Sequence, residues 1–160
     1  MLPSDKLIIR KAVTTDLTAI VKLWIEFTDY HSAMDRYFSR SENGHNNFSD
    51  YVQKNLSSNR SRILVAQFKG MVIGYCIGTM AERSPVFKNR DYGYIQDLII
   101  TRSYRGQGGG QSLINELVKW FKSKGVTRLE LDIHAKNEVA RNFWMNNGFA
   151  ISLERLSREI

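Results

Sequence analysis

The chain has 160 residues, 42% of them hydrophobic, and a formal net charge of +7. That length fits one domain with a sizeable core; no apolar run approaches the ~20 residues of a membrane span, and the single Cys76 excludes an internal disulfide. The opening Met1-Leu2-Pro3-Ser4-Asp5-Lys6 carries no apolar leader, so the expected setting is the cytoplasm.

Leu7–Lys11 reads as a first strand. Thr14-Thr15-Asp16 offers N-capping oxygens to a helix in which Leu17, Ile20, Val21, Trp24 and Phe27 recur at helical spacing. Asp29–Asn47 shows little period, although it carries His31, Asp35, Tyr37, Glu42 and His45. Phe48, Tyr51, Val52 and Leu56 suggest a second helix. Ile63–Phe68 and Met71–Met80 flank Lys69-Gly70, a hairpin signal, with Gly74 and Gly78 marking a bulge or a close backbone approach. Cys76 between them reads as a small buried hydrophobe.

A loop over Glu82–Asp91 leads to a strand carrying Tyr94, Ile95, Leu98, Ile99 and Ile100. The turn Arg105-Gly106-Gln107-Gly108-Gly109-Gly110 follows, then a helix with apolar positions Leu113, Ile114, Leu117, Val118 and Phe121, stopped at Gly125. Strand, glycine turn and helix N-terminus form an anion site. The first helical N–H groups have no internal partner, the dipole adds positive charge, and glycines admit a phosphate to the main chain. Arg102 and Arg105 add full charges, so a pyrophosphate cradle is expected. A nucleotide P-loop needs Lys-Ser/Thr after its last glycine, but Gln111-Ser112 stands here. A dinucleotide fold needs a different glycine spacing. What remains is Arg105-x-x-Gly108-x-Gly110. Beyond it, Arg128–Ile133 alternates as a strand, Glu138–Asn146 reads as a helix ended by Asn147-Gly148, and Phe149–Leu156 as a last strand. The tally is a mixed α/β domain.

Arg105-x-x-Gly108-x-Gly110 after Leu98-Ile99-Ile100, followed by Asn137-x-x-Ala140-x-x-Phe143-Trp144-x-x-x-Gly148-Phe149, resembles the two sequence blocks of the GCN5-related N-acetyltransferases. The resemblance covers nearly the whole chain and is weakest over Asp29–Asn47. It implies one domain over residues 1–160, with a central, mixed, mostly antiparallel sheet flanked by helices. It implies acetyl-CoA as co-substrate and direct transfer of the acetyl group to a primary amine of a small molecule or a peptide. The alternative is a non-catalytic CoA-binding regulatory module.

The family pattern implies that phosphates rest on Arg105, Gly106, Gln107, Gly108, Gly109, Gly110 and Gln111. It implies that pantetheine runs along Leu98, Ile99 and Ile100, and that Asn137, Ala140 and Phe143 complete the cofactor site. A backbone N–H near Leu98 is the implied oxyanion donor. The Asp29–Asn47 loop is the implied wall of the acceptor site.

Three positions govern the catalytic roles. Trp144 stands at the family's Tyr position, and an indole N–H is no usable acid. Gln96 stands where related diamine acetyltransferases have a Glu and cannot take a proton. Asp97 beside it is a catalytic carboxylate or a structural anchor, and strict strand alternation puts it on the face opposite Gln96. His134 follows a strand, where it faces a ligand cleft or is a satisfied histidine. Lys136 and Arg141 reach the nucleotide phosphates or are solvated surface. No metal-ligand spacing is present. The +7 charge suits a polyanionic cofactor; zinc-finger, RNP-type and helix-turn-helix spacings are missing, which disfavours nucleic acid. That charge opposes a polycationic acceptor unless Asp35, Glu42 or Asp97 makes a local acidic cleft. A homodimer is compatible with the resemblance.

Overall fold

The computed structural model describes residues 6–160. The expectation of no apolar leader falls largely on Met1–Asp5, outside the described residues. Strand β1 (Ile8–Lys11) is followed by helices α1 (Leu17–Met34) and α2 (Gly44–Asn55). Strands β2 (Ser61–Phe68), β3 (Met71–Glu82) and β4 (Asp91–Ile100) come next, then α3 (Gly109–Ser123), β5 (Leu129–Glu130) and α4 (Glu138–Asn146). The sheet order is β1-β2-β3-β4-β5. The first four strands are antiparallel, and β5 joins β4 in parallel. No helix among the described residues is long and apolar enough to cross a membrane.

Each sheet face buries its own core. α3 and α4 cover Leu64, Cys76, Ile95 and Ile100 with Leu113, Leu117, Phe121 and Trp144. α1 and α2 cover Val65, Tyr75, Ile77 and Ile99 with Ile20, Leu23, Phe48 and Val52. Cys76 is fully buried, and burial pushes its thiol up, as befits an inert core residue. The β2–β3 hairpin turns through Lys69 (φ 49°) and Gly70 (φ 78°), the primed-turn conformation that matches strand twist. Gly78 permits the approach of α3: a Cβ there would lie 2.8 Å from Leu117 Cδ1.

Several sequence expectations are corrected. Thr14–Asp16 forms a turn of 3₁₀ helix and makes no side-chain cap on α1. The Asp16 carboxylate is instead bound by Arg10 through two N–H···O bonds of 2.7 and 2.8 Å and by the Val13 N–H at 2.9 Å. Arg10 and the Val13 N–H together hold its carboxyl below the ordinary range. The aperiodic Asp29–Asn47 is mostly ordered: α1 runs to Met34, and a 3₁₀ turn spans Arg36–Phe38. The strand expected over Arg128–Ile133 is regular only at Leu129–Glu130. The expected last strand, Phe149–Leu156, is irregular. Phe149 packs on the α3-side core, but Ile151, Leu153 and Leu156 lie exposed, so the rest of the segment presents no apolar face to bury and gains little from strand pairing.

Candidate active site

The site begins where two parallel strands part. β4 pairs with β3 up to Gly74↔Ile100. With β5 it pairs only at Gly93↔Leu129 and Tyr94↔Glu130. Beyond Tyr94 the arms form a fork. The Thr101 N–H donates to Ile73 O across β3 at 2.8 Å. Antiparallel alternation therefore turns the main-chain groups of Leu98 and Ile100 to the opposite side, into the fork. A contact on that side agrees: Arg105 Nε donates to Ile100 O at 2.8 Å. Ile99 is buried under α1 and α2.

The fork opens toward the N-terminus of α3. Gly106 and Gly108 have φ of 75° and 83°, the left-handed region natural to glycine. The Ser112 N–H finds Gly108 O at 3.0 Å, and the N–H groups of Gly109, Gly110 and Gln111 precede the first internal acceptor of the helix. A Cβ on Gly109 would stand 3.0 Å from Ile100 Cδ1, and one on Gly110 would stand 3.5 Å from Phe143 Cε2. Cradle, β4 end and α4 therefore meet at one point. Gln107 is exposed beside the cradle, and Gln111 donates to Asn115 Oδ1 at 3.0 Å. Arg105 folds back: besides Ile100 O it meets Glu26 Oε1 at 3.4 Å and lies 5.8 Å from the Tyr30 ring centre. Glycine backbone, helix dipole and an open strand edge fit a diphosphate carrying an amide-bearing arm.

On the α1/α2 face, β4 carries a bulge. Ile77 pairs with Asp97 and Gly78 with Ile95, which leaves Gln96 as the extra residue. The bulge breaks alternation, so the expected opposition of Gln96 and Asp97 is corrected. Both face α1 and α2. Tyr51 donates to Gln96 Oε1 at 2.6 Å, and Tyr75 donates to Asp97 Oδ2 at 2.9 Å. Asp97 is only 7% exposed. Burial pushes its carboxyl up to about 6, against the opposing pull of the Tyr75 hydrogen bond. The Tyr51 hydroxyl is raised by burial and by the nearby Asp97.

The second arm presents its polar residues to the same face, because Leu129, Leu131 and Ile133 pack toward α3. Glu130 is held by Arg83 and, at 2.6 Å, by Arg128 Nε. Tyr94 donates to Asp132 Oδ2 at 2.9 Å, and burial with that bond pushes its hydroxyl up to about 12. His134 Nδ1 accepts from the Lys136 N–H at 3.1 Å, so the ring proton sits on Nε2, 3.2 Å from Asp35 Oδ2. Both nitrogens are thus engaged. Lys136 Nζ donates to Met34 O at 3.3 Å, away from the cradle. The Tyr37 N–H and then His134 hold the Asp35 carboxyl below its usual range. α1 and the residue that caps its end therefore reach both arms of the fork, at Glu26 and at Asp35.

On α4, Asn137 is buried and caps the helix, its Oδ1 accepting from the Ala140 N–H at 3.1 Å. Ala140 and Phe143 pack against the α3-side core. Trp144 is buried in that core, with ring centres of Phe143 at 5.0 Å and Phe149 at 5.1 Å. It lies on the face opposite Asp97 and apart from it.

The structure thus brings Leu98, Ile100, Arg105–Gln111 and Phe143 to one side of the fork. It sets Asp97 on the other, with His134 tied to Asp35 ahead of the 36–38 turn. Sequence reasoning missed Glu26, Tyr51, Tyr75 and Tyr94. Tyr75 lay hidden in an apolar strand run, and the bulge that selects Gln96 and Asp97 leaves no single-residue signature.

The chain matches the model of the acetyltransferase (GNAT) family over residues 21–149. It is 24% identical over 136 residues to an uncharacterized N-acetyltransferase of Archaeoglobus fulgidus, an alignment spanning 85% of this chain and 88% of that one. Its fold is that of a mutant BH1408 protein from Bacillus halodurans, with a TM-score of 0.87 at 22% identity, covering 96% of this chain and 99% of that one. A predicted acetyltransferase from Clostridium acetobutylicum, solved with acetyl-CoA, superposes with a TM-score of 0.77 at 18% identity over 96% of both chains.

Proposed function

Because the chain belongs to the acetyltransferase (GNAT) family, we propose that it is an acetyl-CoA-dependent N-acetyltransferase, working as one domain over residues 1–160 and acting on a primary amine of a small molecule or peptide in the cytoplasm. The observation that carries this reading is the fork. The β4 edge that β5 leaves without a partner strand past Tyr94 leads through Leu98 and Ile100 directly into the glycine cradle at Gly106–Gln111.

Acetyl-CoA, when bound, supplies an acetyl group activated as a thioester. The chain's own groups do the rest. The N–H groups at the start of α3, with the balanced charge of Arg105, hold the pyrophosphate. The main-chain edge of Leu98 and Ile100 orients the pantetheine, alongside Phe143 and the Asn137 turn. The Leu98 N–H donates where negative charge develops on the carbonyl oxygen. The acceptor approaches from the α1/α2 face, past Tyr51, Gln96, Tyr94 and the 35–38 turn. Its amine is protonated at neutral pH in water and must lose a proton before attack. A carboxyl that titrates at about 6 suits that transfer near neutrality, and Asp97 is the candidate, relaying through Tyr75 or water. Trp144 supplies packing and no proton.

A second reading, a CoA-binding regulator without turnover, draws on the core position of Trp144 and on Gln96. Titration with acetyl-CoA, followed by thiol release against a panel of amines and peptides, separates the two. Binding with release on an acceptor is the expected result. Binding without release on any acceptor favours the regulator, and no binding overturns both readings.

A further inference from the structure

Glu26 lies in the middle of α1, one sheet face away from the glycine turn, yet its carboxylate meets three groups around the junction of β4 and that turn. Oε2 accepts from Thr101 Oγ1 at 2.8 Å, and Oε1 accepts from the Arg102 N–H at 2.9 Å. Arg105 Nη2 approaches Oε1 at 3.4 Å. The same guanidinium donates from Nε to Ile100 O, and Tyr30, one helical turn beyond Glu26, lies under it. The contacts close a ring from α1 through the end of β4, through Arg105, and back to α1.

A carboxylate placed beside an anion cradle repels the ligand unless its charge is balanced. Here it is balanced by Arg105 and by two further donors. We infer that Glu26 is the positioning residue of the cofactor's phosphate end: it fixes the exit of β4 and the set of Arg105, and so aims the Gly106–Gln111 N–H groups at the pyrophosphate. This inference rests on the functional reading above and adds a role on an element that carries neither sequence block. It also gives α1 two duties, since Asp35, the residue that follows its last turn, is tied to His134.

The test is calorimetric titration of the full chain with CoA and with pantetheine, which lacks the pyrophosphate, on wild type, E26A and E26Q, with urea midpoints recorded for each. E26A should weaken CoA binding by about tenfold, the usual cost of losing hydrogen bonds to a charged group, while pantetheine binding changes by less than about twofold. E26Q keeps an oxygen for the Arg102 N–H and an amide for Thr101, and should recover most of the loss. T101V, which removes only one donor, should weaken CoA binding by a smaller factor and decides the matter if E26A does not fold. CoA binding unchanged in E26A, or in T101V where E26A does not fold, overturns the clamp. So does an equal loss for CoA and pantetheine, which marks a general loosening of the fork. If the wild-type chain binds no CoA, the functional reading fails and the clamp falls with it.

Discussion

The hydroxyl of Tyr75 donates to the carboxylate of Asp97 at 2.9 Å inside the sheet, and both residues are buried. Burial, against the pull of that hydrogen bond, lifts the Asp97 carboxyl to about 6 from an ordinary value of 3.8. The folded chain binds this proton more tightly than the unfolded chain, so the contribution to stability falls as pH rises from about 4 to about 6. A shift of that size corresponds to about 3 kcal/mol, fully expressed above pH 6. Asp97→Asn should be more stable than wild type by up to about that amount at pH 8, the two converging below pH 4. Urea denaturation across this range is the measurement, and parallel curves would refute the assignment. Tyr75→Phe should act in the opposite sense above pH 6, because it leaves the carboxylate without its donor.

The Arg10–Asp16 pair has the opposite sign. The Asp16 carboxyl is held low, so its stabilising contribution is present above the ordinary Asp range and is lost as pH falls through the lowered value. Asp16→Ala also strands the Val13 N–H. A loss of about 2 kcal/mol at pH 7 is expected, shrinking in acid, and thermal melts at pH 7 and pH 2.5 would reveal it.

Gly108 carries φ +83°, so Gly108→Val should strain the turn by about 1–2 kcal/mol and reduce CoA affinity by at least about tenfold, with circular dichroism unchanged. Gly110→Val places side-chain bulk between the cradle and Phe143, without that backbone strain, and should reduce CoA affinity likewise. Wild-type CoA affinity retained in both variants would remove the cradle from the site.

Trp144 packs between Phe143 and Phe149. Trp144→Ala should cost about 3–5 kcal/mol of stability, while Trp144→Phe should cost less and leave the pH profile of turnover unmoved. A lost basic limb in Trp144→Phe would give this position a proton-transfer role.

Much of this was readable from the residues. The glycine turn, the α3 stripe and the β2–β3 hairpin each rest on local chemistry, and each stands where the spacing put it. The Asp35 end of Asp29–Asn47 was opaque because its partners are distant in sequence: Asp35 meets His134, 99 residues away, and Met34 O accepts from Lys136. The relation of Gln96 to Asp97 escaped for a different reason. A bulge is set by the partner strand, and period-two reasoning passes over it. Phe149–Leu156 alternates well enough for a strand, but alternation cannot supply a neighbour.

β4 is interior in the sheet order, yet past Tyr94 it has the character of a border, with main-chain groups on that side that β5 does not pair. Borders of sheets invite a further strand. A ligand with amides along its length is such a strand, so occupancy would finish the hydrogen-bond lattice rather than merely fill a hole. The main-chain amides of Leu98 and Ile100 would then trade their hydrogens for deuterium far more slowly in the loaded protein. Two arms joined by a pair of rungs would become one stiff body, and the cosubstrate would serve for a turnover as part of the architecture.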